Sequence, residues 1–344
     1  MDGSASDRRH AGLPIFLKDH LVGLNIAVRS VAGTLTRDDA DSSVRAGTLY
    51  GFLAYASWGV LPLYFHALAP ASAVEILAHR IVWSLVFCLM LGALTRELAQ
   101  IVPILRSPRR LLLLTIAAAL LAVNWGVYIY AVTTNNVVES SLGYFINPLI
   151  LVVMGVVVLH ERLRPMQWAA VGLGAVAVLV IAFDYGRLPW VALSLATSFA
   201  LYGFIKKRVG ANIGALQSMT TETVLMAPFA AAAIVWIERA GDGTFTAEGP
   251  SHTLLLLSTG VITAVPLILF AAAARRVPLA TMGLLQFIAP VLQFICGVFV
   301  LGEDVPAVRW VGFGLVWIAL ALLTNDSLRT LRARRRHVRA GAAA

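Results

Sequence analysis

Charged residues are scarce in this 344-residue sequence. Asp, Glu, Lys and Arg together make up 13% of the chain, against 59% for hydrophobic residues, whereas soluble domains carry roughly 25% charged residues. So few charges cannot cover the surface of a soluble fold of this size, and disordered chains are far more polar. The composition therefore predicts a membrane protein that crosses the bilayer several times.

Cysteine is also scarce. The two cysteines, Cys88 and Cys296, lie in separate apolar runs, which excludes a disulfide framework and the spacing of a cysteine metal site. The sequence also lacks a GxxxxGK[ST] phosphate-binding loop, so ATP coupling within the chain is not expected. The few histidines show no metal spacing. We predict no catalytic residues, no cofactor and no metal.

Ten apolar runs are long enough to cross a membrane, because a helical span needs about 20 mostly apolar residues. The predicted fold class is an all-α polytopic membrane protein with ten transmembrane helices. The helices are predicted at roughly 46–66, 72–94, 110–132, 138–160, 166–184, 189–206, 215–237, 253–274, 279–302 and 307–325.

Four regions follow from these spans. Residues 1–45 are predicted to be a cytoplasmic tail without regular structure, although the weakly amphipathic stretch Leu13–Leu35 fits the membrane surface as well. Residues 46–185 and 186–325 each hold five helices. Residues 326–344 form a basic cytoplasmic tail.

The positive charges predict the orientation, because Lys and Arg favour cytoplasmic loops. With the N-terminus inside, 23 of the 27 Lys and Arg residues fall on the cytoplasmic side and three fall outside. Arg80 alone lies within a span. The net charge of +9 is thus explained by topology. We predict cytoplasmic termini and no nucleic-acid partner.

The sequence contains an internal repeat. When the chain is shifted by 142 residues, 142–173 matches 284–315 at 12 of 32 positions. Apolar composition alone gives some matches, but five are much harder to obtain by chance at identical spacing: Pro148/Pro290, Gly155/Gly297, Glu161/Glu303, Trp168/Trp310 and Gly172/Gly314. The fourth and fifth spans therefore correspond to the ninth and tenth.

A repeat of five helices must place its second copy upside down in the membrane. The loop charges agree: TTNNVV at 133–138 gives way to ARRVPL at 274–279, and HERLR at 160–164 gives way to GEDVP at 302–306. Inverted repeats of this kind are typical of secondary transporters, which bind substrate near the midplane between the two halves.

Four segments resemble one family. The runs YASWGVLPLYF, EILAHRIVWSL, NWGVYIYAV and ESSLGYFINPL are similar to the RarD branch of the EamA transporters, in the drug/metabolite transporter superfamily. The resemblance covers about residues 46–325. It implies ten helices in two inverted EamA repeats and a plasma-membrane permease of a family whose name is associated with chloramphenicol sensitivity.

Ionisable side chains in the second span are candidate site residues, because such groups at membrane depth usually face a cavity or a partner. Glu75 and His79 are one turn apart and can pair. Arg80 lies near mid-membrane. One interpretation gives Arg80 a substrate or anion contact and Glu75 or His79 a proton-exchange role. The other is a salt-bridge cluster that fixes helix packing.

The fourth and ninth spans each contain a proline, Pro148 and Pro290, in matching positions. Proline removes a backbone hydrogen bond, and matching helix breaks in two repeats indicate a binding site. Two ordinary kinks are the alternative. The neighbouring polar candidates are Glu139, Tyr144, Asn147, Gln286 and Gln293, of which Glu139 also suits a helix-capping role.

Further candidates lie on the first, third and seventh spans. Glu222 is a candidate proton carrier or, alternatively, an interfacial residue. The remaining candidates either line the cavity or anchor the interface: they are Trp58, Tyr64, Asn124, Trp125 and Tyr128. Four glycines, Gly172, Gly174, Gly312 and Gly314, are expected to permit close helix packing.

The sequence predicts a secondary transporter of a small metabolite or drug that alternates access between its two repeats, with proton coupling as an option. Its expected partners are a small-molecule substrate and the lipid bilayer, and homodimerisation is left open. The alternatives are a structural or sensory membrane protein without transport, or a membrane-embedded enzyme. The latter would need a catalytic constellation that the sequence does not show.

Overall fold

The computed structural model describes residues 42–160, 162–209 and 213–341, and these residues form helices, turns and loops without a strand. The predicted N-terminal tail, 1–45, lies outside the described residues apart from 42–45, which already belong to the first helix.

Eleven helices of seven or more residues follow one another along the described chain. They are α1 (42–66), α2 (Ala73–Leu94), α3 (Pro108–Thr133), α4 (Val137–Leu159), α5 (Pro165–Tyr185), α6 (Trp190–Val209), α7 (Ala215–Ala240), α8 (Pro250–Ala274), α9 (Leu279–Leu285), α10 (Ile288–Ile295) and α11 (Ala307–Gly341). Two short helices, Leu98–Gln100 and Val102–Leu105, follow α2, and a π-helical turn, Cys296–Val300, extends α10.

Eight of the predicted spans coincide with helical segments that are long and apolar enough to cross a membrane within the described residues. In the ninth span this segment, Thr281–Val300, combines most of α9 with α10 and the π-helical turn. Helices α1 and α6 coincide with the first and sixth predicted spans but are not among these eight. Helix α6 ends in Lys206, Lys207 and Arg208, which lower its mean hydropathy. Helix α11 continues to Gly341 and includes residues 326–341 of the predicted basic tail, whose last three residues lie outside the described part of the chain.

Local sequence signals account for most helix ends. Ser72 caps α2 by accepting a hydrogen bond from the Glu75 backbone N–H at 3.2 Å. Proline occupies the first position of α3, α5 and α8, where its missing N–H costs nothing. Gly186 and Gly241 end α5 and α7 in the left-handed conformation that favours glycine.

The two matching prolines act differently. Pro290 cannot donate to the Gln286 carbonyl, and the ninth span is interrupted there, between α9 and α10. Pro148 lies inside α4, which is continuous from Val137 to Leu159, so the helix break expected at Pro148 is not seen. One missing donor leaves the other hydrogen bonds of α4 in place, and these hold the helix together.

Helices that are equivalent in the repeat pack against each other and run antiparallel. The fifth helix of each half, α5 and α11, forms an extensive contact. Asp184 at the end of α5 meets Arg309 at the start of α11 at 2.5 Å. Arg164 before α5 meets Asp326 far along α11 at 2.8 Å. The two ion pairs therefore join α5 and α11 at both ends and show that the two helices are antiparallel.

The second helices of the two halves, α2 and α7, show the same relation. Glu75 near the start of α2 accepts a hydrogen bond from the Thr244 N–H, just after α7 ends, at 2.7 Å. Gln217 in the first turn of α7 donates to Gln100, just after α2 ends, at 2.6 Å.

The other contacts also follow the repeat. Helix α6 packs on α3 and α4. Helix α1, its counterpart, packs on α8 and α10: Trp58 lies 5.8 Å from the Phe270 ring, and Gly59 faces Leu292. In the repeat, α3 is equivalent to α8, and α4 is equivalent to α9 and α10. The contacts of α1 are therefore equivalent to those of α6.

Close packing depends on particular glycines. A Cβ at Gly260 would collide with the backbone of Trp83 where α8 crosses α2. Gly174 and Gly312 lie against Leu149 and Ile181, as expected. A Cβ at Gly172 or Gly314 would meet no atom within 4 Å, so the expected packing role is wrong for these two glycines.

We predict that Gly260→Ala lowers the free energy of unfolding by about 1–3 kcal/mol, because a methyl group there must push two helix backbones apart. Gly314→Ala is the matched control, and its open surroundings predict no loss and a gain of up to about 1 kcal/mol from reduced backbone freedom. Thermal unfolding of the two purified variants measures the difference. Equal stability would contradict the assigned α2–α8 contact.

Candidate functional site

Arg80 is the most unusual polar side chain of the described chain. It lies on the eighth residue of α2, about 10 Å from the start of that helix, and is only 4% exposed. Its Nε donates to Thr263 Oγ1 on α8 at 2.9 Å. Its guanidinium carbon lies 4.1 Å from the centroid of the Trp125 ring and 5.4 Å from that of Phe65.

Hydroxyl and amide groups surround this guanidinium. Tyr64, Tyr128 and Tyr144 all lie close enough to interact with Arg80 electrostatically. The Tyr144 hydroxyl donates to Asn124 Oδ1 at 3.3 Å, and the Asn124 amide donates to Ser198 Oγ at 3.0 Å. The rings of Tyr128 and Tyr144 meet edge to face, 5.8 Å apart. The structure thus joins six predicted candidates into one polar and aromatic cluster: Tyr64, Arg80, Asn124, Trp125, Tyr128 and Tyr144.

Glu75 and His79 lie one and two turns from the start of α2, but no hydrogen bond joins them. His79 Nδ1 accepts from the Trp83 indole N–H at 3.1 Å, and its ring stacks on Phe245, 4.6 Å away. Glu75 Oε1 accepts from the Thr244 backbone. Glu75 Oε2 and His79 Nε2 are both buried without a hydrogen-bond partner. Each group therefore has one hydrogen-bonded atom and one buried atom without a partner.

Glu222 on α7 has a basic neighbour on a different helix, α6. Lys206 on α6 reaches Glu222 Oε1 with Nζ at 2.6 Å. Ser218 donates to the same oxygen at 3.0 Å, and Tyr202 donates to the other at 3.2 Å. Three donors from α6 and α7 therefore contact this buried carboxylate.

Glu139 caps a helix, although not its own. Its carboxylate accepts from the Val191 backbone N–H in the first turn of α6 at 3.0 Å and from Arg187 at 2.9 Å. The hydrogen bond to Glu139 raises the pKa of Arg187. An anion at a helix N-terminus is favoured by the helix dipole, so Glu139 joins the N-termini of α4 and α6.

The role of Glu303 was not predicted. Its two carboxylate oxygens accept from the Val137 and Val138 backbone N–H groups at 2.5 and 2.8 Å and thereby cap α4 from the loop before α11. Burial raises the pKa of Glu303, against the opposing effects of these two hydrogen bonds and of Arg309. The match between Glu303 and Glu161 in the repeat is the sequence feature that could have pointed to this role.

The remaining candidates lie along the proline-containing helices. Gln293 donates to the Trp58 carbonyl at 3.1 Å and keeps its own carbonyl oxygen buried without a partner. Asn147 likewise has a buried Oδ1 without a partner. Gln286 lies at the break between α9 and α10.

The structure separates the candidates into distinct environments. Glu139 and Glu222 lie in ion pairs outside the Arg80 cluster, whereas Phe65, Thr263 and Ser198 belong to it and were not predicted. Phe65 lies in one of the distinctive runs of the sequence. Thr263 and Ser198 carry no signal in the sequence, because an isolated Ser or Thr in an apolar span most often bonds its own helix.

Comparison with known proteins gives a consistent result. The model of the EamA-like transporter family matches residues 45–183 and again residues 188–325. The chain is 51% identical over 303 residues to Protein RarD of Streptomyces exfoliatus, covering 88% of this chain and 96% of that protein. It is 38% identical over 302 residues to a Vibrio cholerae protein named "Uncharacterized transporter", covering 88% and 99%. A crystal structure aligned at 18% identity, with a TM-score of 0.54 over 80% of this chain and 96% of the other, shares the fold.

We predict that Glu303→Ala lowers the free energy of unfolding by about 1–2 kcal/mol, because the first N–H groups of α4 lose their acceptor. Asp304→Ala is the control: Asp304 is the exposed next residue, and a surface change of this kind costs at most about 0.5 kcal/mol. Unfolding of the purified variants in detergent measures both. Equal effects would show that the capping contact does not stabilise the protein.

Proposed function

The chain belongs to the EamA-like transporter family, with RarD proteins among its relatives, and on that premise we propose that it is a plasma-membrane secondary transporter of a small metabolite or drug. It crosses the membrane ten times and has both termini in the cytoplasm. Access alternates between two inverted repeats. It acts as a carrier and not as an enzyme.

The observation that supports this proposal is the antiparallel packing of equivalent helices. A parallel copy would place α5 and α11 side by side in the same direction, whereas the ion pairs Asp184–Arg309 and Arg164–Asp326 join opposite ends. Helices α2 and α7 show the same relation. An interface between inverted halves allows the two sides of a transporter to open in turn.

The Arg80 cluster is the proposed substrate site. It draws side chains from both halves: Arg80, Trp125 and Tyr144 come from the first repeat and Thr263 from the second. A site shared by the two halves changes its shape when the halves move against each other, so substrate binding and access are linked.

Proton coupling is part of the proposal, and the contacts favour Glu75 as the carrier. Glu139 and Glu222 each form an ion pair with a cation, Arg187 and Lys206 respectively. Glu75 is buried with one unpartnered oxygen, and the unpartnered nitrogen of His79 lies one turn along the same helix. Glu75 forms no ion pair with a cation of the described chain, so a proton transferred to it breaks no ion pair.

We predict that the α3–α4 loop faces outside and the α8–α9 loop faces inside. On a background without Cys88 and Cys296, a cysteine from Thr134→Cys should react with an impermeant thiol reagent in intact cells. A cysteine from Arg275→Cys should react only after the cells are opened. Both positions are exposed in the structure. Reaction of both loops from outside would contradict the inverted arrangement.

We predict that Glu75→Gln abolishes accumulation driven by a pH gradient while exchange of substrate persists, because the amide keeps the shape but carries no proton. Metabolite comparison between cells lacking and overexpressing the protein identifies the substrate. Reconstituted vesicles with an imposed gradient then test Glu75→Gln, Glu139→Gln and Glu222→Gln, with the exposed Glu248→Gln as control. If wild-type transport ignores the gradient, or all three variants respond normally, the coupling proposal is wrong.

A further inference from the structure

We infer that the transported substrate is a small organic anion with one carboxylate and an apolar or aromatic body, and that Arg80 supplies the countercharge. This inference rests on the proposed transport function, because it names the substrate class of that site. Three features of the Arg80 cluster carry it: the charge, the unused donors and the surrounding rings.

The charge of Arg80 is not balanced by the protein. Within the part of the chain that the structure describes, no Asp or Glu oxygen lies within ion-pair distance of Arg80, whereas Arg187, Lys206 and Arg309 each face a carboxylate. Arg80 is also the most buried of these cations, at 4% exposed. A buried charge without a partner is strongly disfavoured, so an anion that binds next to Arg80 stabilises the site.

The unused hydrogen-bonding groups next to the charge are donors. Arg80 Nη1 and the Tyr128 hydroxyl are both buried without a partner. Thr263 fixes the Nε edge of the guanidinium, so its orientation is set before a ligand arrives. A carboxylate offers two acceptor oxygens in the plane that a guanidinium fork recognises, whereas a cationic or purely donor ligand would leave Arg80 Nη1 without an acceptor.

The surroundings indicate the rest of the molecule. The side chains nearest the guanidinium are rings: Trp125 and Phe65 lie over it, and Tyr128 packs 6.0 Å from Phe65 and 5.8 Å from Tyr144. Such walls favour an apolar or planar body over a highly hydrated one. Arg80 is the single Lys or Arg of this cluster among the described residues, which suits a monoanion rather than a phosphate or dicarboxylate.

The alternative is that the rings alone satisfy Arg80. Cation–π contacts stabilise a guanidinium, but they supply no acceptor for Nη1 and no countercharge. The two cases predict opposite effects of removing the charge. If Arg80 is structural, a neutral residue destabilises the protein. If it awaits a ligand, neutralising it leaves the unliganded protein at least as stable.

The test measures thermal unfolding of the full-length protein in nanodiscs, in a buffer of low ionic strength without carboxylates. The probes are benzoate, phenylacetate and hexanoate, each compared with its own neutral amide and with sodium sulfate. We expect at least one acid to raise the unfolding temperature in a saturable way, and its amide and sulfate to have no effect at equal concentration. If no acid exceeds its amide, or sulfate equals the acids, the inference is overturned.

Two variants locate the effect. Arg80→Gln should retain the unfolding temperature of the unliganded protein and lose the response to the acid. Arg80→Lys keeps the charge without the fork and should bind about tenfold to a hundredfold more weakly. Arg276→Gln is the matched control, because Arg276 lies over the Tyr50 ring at an exposed loop, and it should respond as the wild type does. An unchanged response in Arg80→Gln, or a much lower unfolding temperature without ligand, would overturn the assignment.

The outcome is separable from that of the proposed function. Acid binding at Arg80 without any transport by reconstituted protein would remove the transporter proposal and leave the anion site standing. Transport of a neutral or cationic compound, with no acid effect on unfolding, would keep the transporter and remove the anion site.

Discussion

A bilayer offers no water to unpaired backbone groups, and this constraint determines where hydrogen bonds can form between the helices. Each spanning helix satisfies its own interior, so the groups still open to bonding are the N–H and C=O groups at helix ends and the few polar side chains within the spans. The structure uses both. Acidic side chains from neighbouring elements cap helix ends, and a small set of buried polar residues collects around Arg80.

The capping contacts cross between elements that are distant in the chain. Glu303 binds the start of α4 from the loop before α11 and joins the second half of the protein to the first. Glu139 binds the start of α6 from α4. Both lie on the side where α3 ends and α8 begins. Such contacts resist separation of the halves on that side, and a change in access must break or rearrange them.

The Arg80 cluster differs from these contacts, because its buried charge has no ion-pair partner among the described residues. The buried carboxylates of Glu139 and Glu222 each form an ion pair, whereas Arg80 is buried against rings with one donor atom left without a partner. Retaining an unpaired charge in the membrane lowers stability, and such a cost is typical of sites whose partner is a ligand. Because Thr263 holds Arg80 from the other repeat, movement between the halves acts directly on this residue.

The sequence by itself determined the helices, the repeat and the family, because length, apolar content, helix-end residues and matched positions are properties of the chain alone. The helix ends at Gly186 and Gly241 and the break at Pro290 are local effects of this kind. The partners of Glu222, Glu139 and Glu303, and the assembly of Phe65 and Thr263 around Arg80, were decided by tertiary packing. Arg80 contacts Phe65 and Thr263 from 15 and 183 positions away in the chain, and no periodicity in the sequence shows which faces of two apolar helices meet. The continuous helix through Pro148 could not be predicted from the residue type, since a proline interrupts the equivalent span.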